Sequence, residues 1–504
     1  MKTVHKLFGA SVLALAISGC AVTSEPIERS VSEQRARSDL QGMYKNQEPL
    51  NGPLTLHQAM ARAVKYNLEG RLKIMEEALA KRQLDLASFD MLPRMALSAG
   101  YAGRNNTNAS SSQSVRTGTQ SLEPSTSQDR DRRVADLTMV WNVLDFGVSY
   151  ISAKQQGDQR LIVQERRRKV INTIVQDVRS AYWRAVAAER LLTQIDSLMA
   201  RVDQAQTNSQ SMSEQRIGDP VQALGYQRSL IEATRQLQEQ RRALSLAKTE
   251  LSTLINLPMG TDLKLATPDD YAVPQLKVNL ASLEQEALAN RPELREQDYQ
   301  TRISAAETRK AMLRLLPGLE FSAGGHYDSN SFLVDNRWAD YGAKVTWNLF
   351  NVLSAPAAID VAKAGEEVAT ARRQAMSIAV LAQLYVANAN FQDAVRQFKT
   401  NEQLADIDGQ ILTQLRNRHQ AAGLGELDLI QGELNTLQAD LRRDLAYADL
   451  RNAYGQIFAS AGLDPLPEQV DSDRVQSIAT ALAGRESAWA AGNIAVPAPH
   501  VAAQ

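Results

Sequence analysis

The side chains that most often do chemistry in proteins are scattered in this sequence. Five histidines could serve as acids, bases or metal ligands, but their spacing fits no metal site. No serine lies in a Gly-x-Ser-x-Gly sequence, and no glycine-rich loop runs into Lys-Ser or Lys-Thr to hold a phosphate. We therefore predict that the chain is not an enzyme and has no catalytic residue, cofactor-binding residue or metal ligand. The histidines are His5, His57, His326, His419 and His500.

The single cysteine, Cys20, has surroundings that indicate a covalent modification. A positively charged start and an apolar segment at residues 7–18 lead into Ile17-Ser18-Gly19-Cys20, which has the form of a lipobox. We predict that residues 1–19 are a signal peptide and that Cys20 becomes the lipidated first residue. An ordinary cleaved signal with an incidental cysteine is the alternative. Ala21 follows rather than Asp, and the resemblance to bacterial lipoproteins then implies the outer membrane.

The overall composition favours long helices and excludes several classes of protein. The 26 Gly and 16 Pro are few for 504 residues, so turns are scarce and the elements between them are long. A mean hydropathy of −0.33 excludes a polytopic helical membrane protein. The 56 basic and 57 acidic residues nearly cancel, so we expect no nucleic-acid partner. The basic run Arg166-Arg167-Arg168-Lys169 fits a solvated or acid-paired helix face better than a nucleic-acid site.

The chain contains two copies of one pattern. Leu92 to Gly100 recurs as Leu316 to Gly324, and Val140 to Leu144 recurs as Thr346 to Phe350. Repeats of roughly 200 residues are too long for a solenoid unit, so we predict a duplicated domain. Seven-residue spacing near the end of each copy predicts coiled-coil packing. The heptad positions are Ala223, Leu230, Leu237 and Leu244, and then Leu427, Leu434, Leu441 and Ala448.

Each copy has the same order of elements. A helix ends at Leu-Pro, an alternating strand follows, and a second strand returns after a polar loop. The strands are ~10 residues long, and their alternation is typical of strands that separate lipid from water. Two hairpins on a soluble core are the alternative. Four strands cannot close a barrel, so several chains would have to contribute. The aromatic residues that we expect at the membrane interface are Tyr101, Trp141, Tyr341 and Trp347.

The predicted domain organisation follows from these boundaries. Before the repeats we place the signal peptide at 1–19 and an extended linker at 20–53. The first repeat is 54–257, with an opening helix 55–91, strand hairpin 95–142, long helix 149–213 and return helix 221–257. A linker at 258–279 leads to the second repeat, 280–463, with an opening helix 280–315, hairpin 319–349, long helix 357–421 and return helix 427–461. Residues 464–504 are predicted to be a flexible tail.

In this order and spacing, residues 54–463 resemble the outer membrane factor (TolC-like) family, in its lipoprotein branch. The resemblance implies a mostly α fold with a small β part, assembled as a homotrimer. Four strands from each chain would form one shared 12-stranded transmembrane β-barrel, and the long antiparallel helical hairpins would form an α-barrel tunnel. It also implies contacts with outer membrane lipids, a periplasmic adaptor (membrane fusion) protein and an inner-membrane transporter.

Charged residues lie near the turns that join each long helix to its return helix. The resemblance implies that ion pairs and acidic rings at this end hold the tunnel closed. Ordinary solvated charges at helix ends are the alternative interpretation. The candidate gate residues are Arg216, Asp219, Arg418, Glu426 and Asp428.

We therefore predict a channel-tunnel that spans the outer membrane and the periplasm. It would give a tripartite efflux pump or a type I secretion system a passive exit duct, while the pump supplies the energy. The cargo stays open between drugs, metals, polysaccharides and proteins. The alternative is a lipid-anchored periplasmic coiled-coil scaffold protein without channel activity.

Overall fold

The structure is a computed structural model, and it describes most of the chain. Cys20 and two candidate gate residues, Arg216 and Asp219, lie outside the described residues. The chain divides into two compact units between Pro49 and Leu50. The described ranges are 24–121, 123–214, 220–267, 271–421, 423, 425–467 and 470–494, with only the backbone described at 212–214 and 220.

The described residues of the first unit contain one helix, α1, at Arg29–Met43. None of its side chains is buried, and Arg29 Nε donates to Glu33 Oε1 at 2.8 Å, one turn further on. The prediction of an extended linker at 20–53 is therefore wrong over α1. Its helix-forming Glu, Arg, Gln and Leu side chains favour a helix even where no side chain is buried.

The second unit contains nine helices and six strands among the described residues. The fold is mostly helical with a small sheet, as predicted. The first repeat contains α2 (Leu56–Tyr66), α3 (Leu68–Phe89), β1 (Arg94–Gly103), β2 (Ala109–Ser110), β3 (Ser125–Thr126), β4 (Asp131–Asn142), α4 (Val143–Glu214) and α5 (Pro220–Leu254). The second repeat contains α6 (Leu280–Asn290), α7 (Pro292–Leu313), β5 (Gly318–Asp328), β6 (Arg337–Thr346), α8 (Phe350–Gln420) and α9 (Glu426–Ser460), and α10 (Val475–Ala490) follows.

Both opening helices are divided in two, where one continuous helix was predicted. Asn67 ends α2, and its side chain accepts hydrogen bonds from the backbone N–H groups of Glu69 and Gly70 to start α3. In the second repeat, Arg291 ends α6 and Pro292 begins α7, because proline lacks the N–H that a continuing helix needs. The backbone is non-helical at both breaks, with ψ of 128° at Asn67 and 126° at Arg291.

The two long helices begin earlier than predicted, α4 directly after β4 and α8 four residues after the last residue of β6. Asn142 is the last residue of β4, and its side-chain oxygen accepts from the N–H groups of Leu144 and Asp145. Asn348 does the same for Phe350 at the start of α8. The repeated Trp-Asn pair is therefore where strand becomes helix. With 72 and 71 residues, α4 and α8 are each a little over ~100 Å long.

The helices pack side by side in a layer with α4 and α8 as its continuous members. α4 packs against α3 and α5 along one side and against α7 and α9 along the other. α8 packs against the far side of α7 and α9. The order across the layer is therefore α3 with α5, then α4, then α7 with α9, and last α8.

Two buried clusters hold the layer together. One surrounds Tyr182, which is 2% exposed and donates from its hydroxyl to the carbonyl of Ala266 at 2.9 Å. The other contains heptad leucines such as Leu230, Leu237 and Leu434, whose exposed fractions are at most 1%. Burial of leucines at seven-residue spacing agrees with coiled-coil packing of α5 and α9 against α4.

The predicted flexible tail is wrong over α10. This helix packs against α2, and Ile478, Leu482 and Trp489 are buried at 5%, 1% and 5% exposure. The ring of Trp489 stacks on Phe458 with centroids 4.9 Å apart. The apolar residues recur at helical spacing, a signal hidden by the many alanines around them.

The sheet is antiparallel, with strand order β1-β4-β5-β6. The register pairs Ser98 with Asp136, and Asp136 with His326. β2 and β3 pair within the long loop between β1 and β4. Since α3 and α8 connect to β1 and β6, the outermost helices and the outermost strands lie at the same two edges.

Candidate functional site: the strand face and the helix tip

One face of the sheet is apolar and uncovered. Side chains there remain exposed in the single chain, from 37% for Met139 to 93% for Tyr341. A soluble domain would bury such a face, so another apolar phase or partner must cover it. The face contains Met95, Leu97, Tyr101, Leu137, Met139, Trp141, Phe321, Tyr341 and Val345.

The four candidate interface aromatics do not occupy equivalent positions. Trp141 and Trp347 lie near the helix end of the sheet, and the indole N–H of Trp347 donates to the carbonyl of Leu315 at 3.0 Å. Tyr101 lies near the loop end, where its hydroxyl donates to Asp131 at 2.6 Å. Tyr341 is at mid-strand in β6, opposite Ala323. The structure therefore places Tyr341 within the apolar stripe and not at its rim.

The opposite face of the sheet is polar and contains a charged cluster. His326 lies between two carboxylates, with Nδ1 2.7 Å from Asp136 and Nε2 3.1 Å from Asp340. Gly324 makes room for it, because a Cβ there would lie 2.5 Å from Nε2 of His326. The sequence did not reveal this cluster, since its members come from three strands that the fold brings together.

The outermost helices each present a second apolar stripe with no partner in the described chain. On α3, Leu72, Met75, Leu79 and Leu86 follow heptad spacing and are 51% to 69% exposed. On α8, helical spacing places its exposed stripe on the side away from the buried Phe391 and Phe398. This stripe includes Val361, Val368, Leu404, Ile407 and Ile411, which are 46% to 74% exposed. Both edges of the helical layer are thus coiled-coil seams without a partner.

Arg201 is the centre of a charge network near the far end of the helices. Its guanidinium, on α4, donates to Glu426 of α9 at 2.7 Å and also to Glu433. Glu433 accepts in addition from Arg416 of α8 at 3.2 Å, and His419 lies 3.4 Å from Glu426. The network therefore links the first hairpin to both helices of the second.

The candidate gate residues are only partly in this network. Glu426 belongs to it, but Arg418 and Asp428 are exposed and form no ion pair with the described residues. Arg216 and Asp219 lie outside the described residues. Sequence reasoning missed Arg201 and Glu433, because their contact joins positions 232 residues apart and no local signal marks it.

Electrostatics favour the charged state of Arg201. Burial alone would lower its pKa, but hydrogen bonds to Glu426 and Glu433 outweigh this effect and raise the pKa above the usual arginine value. The guanidinium thus remains a permanent cation, and its hydrogen bonds to the two carboxylates are charge-assisted.

The basic run on α4 is acid-paired, which is the interpretation that the sequence favoured. Arg166 contacts Glu296 at 2.6 Å and Lys169 contacts Glu293 at 3.3 Å, both on α7. Arg167 contacts Glu77 of α3 at 3.1 Å. These pairs fasten α4 to its neighbours on both sides.

Buried carboxylates form a second group of charges around the middle of the helical layer. Asp444 accepts from Arg190 at 2.9 Å and from Tyr271, yet burial raises its pKa above the usual range. Burial would also raise the pKa of Glu486, but Arg179 and His57 outweigh it and lower the value to about 2. These charges tie the inter-repeat segment and α10 to the long helices.

Two classes of site are not found in the part of the chain that the structure describes. Its His, Cys, Asp and Glu side chains form no cluster suited to a metal ion. Its helices include none with the length and apolar character needed to cross a membrane.

Comparison with known proteins shows a match to one family model over part of the chain and a fold shared with solved structures. Residues 283–462 match the family model described as outer membrane efflux protein. No curated protein sequence matches the chain. The Campylobacter jejuni CmeC outer membrane channel is similar at a TM-score of 0.64 and 13% identity, over 83% of this chain and 90% of that one.

Two further outer membrane proteins have the same fold. The Neisseria gonorrhoeae MtrE outer membrane channel, solved in its open state, gives a TM-score of 0.60 and 18% identity, over 82% of this chain and 94% of that one. The outer membrane protein VceC from Vibrio cholerae gives a TM-score of 0.59 and 14% identity, over 81% of this chain and 96% of that one. The predicted resemblance to the outer membrane factor family is therefore confirmed, and the chain has the fold of these outer membrane channels.

Proposed function

We propose that the protein is an outer membrane channel-tunnel that acts as a passive exit duct for a tripartite efflux pump or a type I secretion system. Three copies close into a ring. Their sheets form one twelve-stranded barrel in the outer membrane, and their helices form a tunnel through the periplasm. The duct does no chemistry on its cargo, and a partner pump supplies the energy.

The observation that carries this proposal is that each chain ends in two open edges. The edge formed by α3 and β1 has backbone N–H and C=O groups that no neighbouring strand pairs, and an exposed heptad seam. The edge formed by β6 and α8 has the same two features. An open strand edge and an exposed heptad seam each require a partner. The two edges differ in sequence, so they fit a head-to-tail contact that closes into a ring.

The two faces of the sheet suit the two sides of a barrel wall. The uncovered apolar face fits lipid, and the face with Asp136, His326 and Asp340 fits a water-filled interior. A periplasmic scaffold would leave this apolar face in water, which is why we prefer the duct. The lipid on Cys20 would then supplement the barrel as an anchor.

The far end of the helices supports a role as a gate and as the contact for partners. Arg201 and Glu433 fasten neighbouring hairpins together there, so opening requires these pairs to separate. A periplasmic adaptor and an inner-membrane transporter would act at this end. Glu426, Arg418, Asp428, Arg216 and Asp219 are proposed contributors.

Conductance in planar lipid bilayers tests the proposal. We expect wild-type protein to give discrete, long-lived channels. Val361→Asp on the α8 seam should abolish them, because a charge would be buried between copies. The control is Leu445→Asp on the inner helix α9, where the leucine is 36% exposed away from either edge. Absence of wild-type channels would contradict the duct, and equal activity of both variants would contradict closure at this edge.

A further inference from the structure

Two arginines stand at the loop end of the apolar strand face. The register places Arg133 opposite Tyr101, and Arg337 opposite Tyr327. Both arginines are exposed, and both belong to the same face as Leu97, Leu137 and Val345. This inference rests on the proposed function, in which that face meets lipid and the loop end lies at the outer surface of the membrane.

Cations occur at only one end of this face. At the helix end, the strand residues on the same side are Trp141, Phe321, Leu319 and Val345, none of which is charged. Among the strand residues of this face at the loop end, Arg133 and Arg337 are accompanied by one acid, Asp131, whose Oδ1 accepts from the hydroxyl of Tyr101 at 2.6 Å. The two ends therefore suit two chemically different lipid surfaces.

Neither arginine forms an ion pair with the described residues. Arg132, next to Arg133 but on the polar face, contacts Asp328 at 3.1 Å, so carboxylates are available to arginines on that side. Arg337 instead lies over the ring of Tyr327, with its guanidinium carbon 5.9 Å from the centroid. Both guanidinium groups thus keep their donors free at the edge of an apolar surface.

We infer that Arg133 and Arg337 bind the phosphates of a phosphorylated lipid in the outer leaflet. A guanidinium matches a phosphate in charge and donor geometry. β4 and β6 are two strand spacings apart, and Arg133 lies two residues beyond the row of Arg337, so the two Cα atoms are roughly 12 Å apart. The long arginine side chains can then contact two phosphates on one headgroup. Free phosphate shares this chemistry, but Leu97, Leu137 and Met139 follow on the same face towards the helix end, beyond the pair of Ala99 and Ala135, and provide a surface for acyl chains.

Native mass spectrometry of the detergent-extracted protein tests this inference. Lipid A, which carries two phosphates, is titrated against wild-type protein, Arg133→Gln, Arg337→Gln and the double variant. Each single variant should weaken lipid binding about fivefold and the double variant about 25-fold, since each arginine near an anionic lipid surface contributes independently. Lys344→Gln is the matched control, because it removes a cation from β6 on the polar face, near the helix end.

The outcomes separate the two proposals. Equal lipid A binding by wild type and double variant overturns the inference, as does an equal loss in Lys344→Gln. Inorganic phosphate that displaces lipid A at equal concentration would show a free-phosphate site and also overturn it. Bilayer conductance is recorded on the same samples. Channels without selective lipid A binding refute only this inference, whereas wild-type protein that neither inserts nor conducts refutes the proposed duct as well.

Discussion

Replacing Arg201 should open the periplasmic end of the tunnel. Its guanidinium is the only described cation that contacts both Glu426 and Glu433, and through them it fastens α4 to α9. Arg201→Gln removes the charge but keeps most of the side-chain volume. Glu433 would then retain only Arg416, which lies within the second hairpin and does not restrain the first.

The free energy that these ion pairs contribute to the closed state follows from the solvent exposure of their side chains. The side chains of Arg201 and Glu426 are 37% and 41% exposed, so solvent screening limits that pair to about 0.5 kcal/mol. Glu433 is only 14% exposed, and its pair with Arg201 contributes about 1 kcal/mol more. A total of about 1–2 kcal/mol corresponds to a roughly 5- to 30-fold larger open population of the hairpins of one protomer.

Single-channel recording measures this population directly. We expect Arg201→Gln to raise the open probability or conductance, and Arg201→Lys to have a smaller effect because lysine retains the charge without the planar fork. Arg235→Gln is the control, since Arg235 pairs with Glu232 one turn away on the same helix, at 2.7 Å. Indistinguishable recordings for Arg201→Gln and Arg235→Gln would refute the reasoning.

Three further predictions concern the middle of the helical layer. Gly462→Ala should lower the melting temperature by several degrees, because φ at Gly462 is +72° and a Cβ there would lie 2.6 Å from the backbone nitrogen of Arg291. Gly409→Ala is the control and should leave the melting temperature unchanged, because there is open space around Gly409. Trp489→Ala should detach α10 and expose it to limited proteolysis, at a cost of about 3–5 kcal/mol in local stability. Glu486 has a lowered pKa, so its contribution of about 3 kcal/mol is present above pH ~4.5 and lost as the pH falls towards ~2. Acid unfolding of wild type should therefore be steeper than that of Glu486→Gln, and parallel curves would contradict this.

The order of elements was predictable because it depends on local signals. Leu-Pro ends helices, Trp-Asn ends strands, and Asn142 also caps the long helix that follows. Strand alternation separated the two faces of the sheet correctly, and heptad leucines such as Leu230 and Leu434 are buried. In each case, the physical cause lies within a few residues of the signal.

The features that the sequence did not predict depend on contacts between distant parts of the chain. α10 has an apolar face, but only its packing against α2 and Phe458 shows that this face is buried. The network at Arg201 and the cluster at His326 each combine residues from several elements, and single-sequence reasoning has no means to pair them. The candidate gate residues were chosen by their position near the turns, and of those that the structure describes, Glu426 contacts Arg201.

The central claim is that open edges on each chain close a ring of three. The most direct measurement is the mass and symmetry of the detergent-extracted mature protein, by light scattering combined with cryo-EM. We predict a three-fold particle in which β1 of each copy lies beside β6 of the next, with a helical tube ~100 Å long below the strands. A monomer or dimer that is soluble without detergent once Cys20 is removed would contradict the duct and favour the periplasmic scaffold.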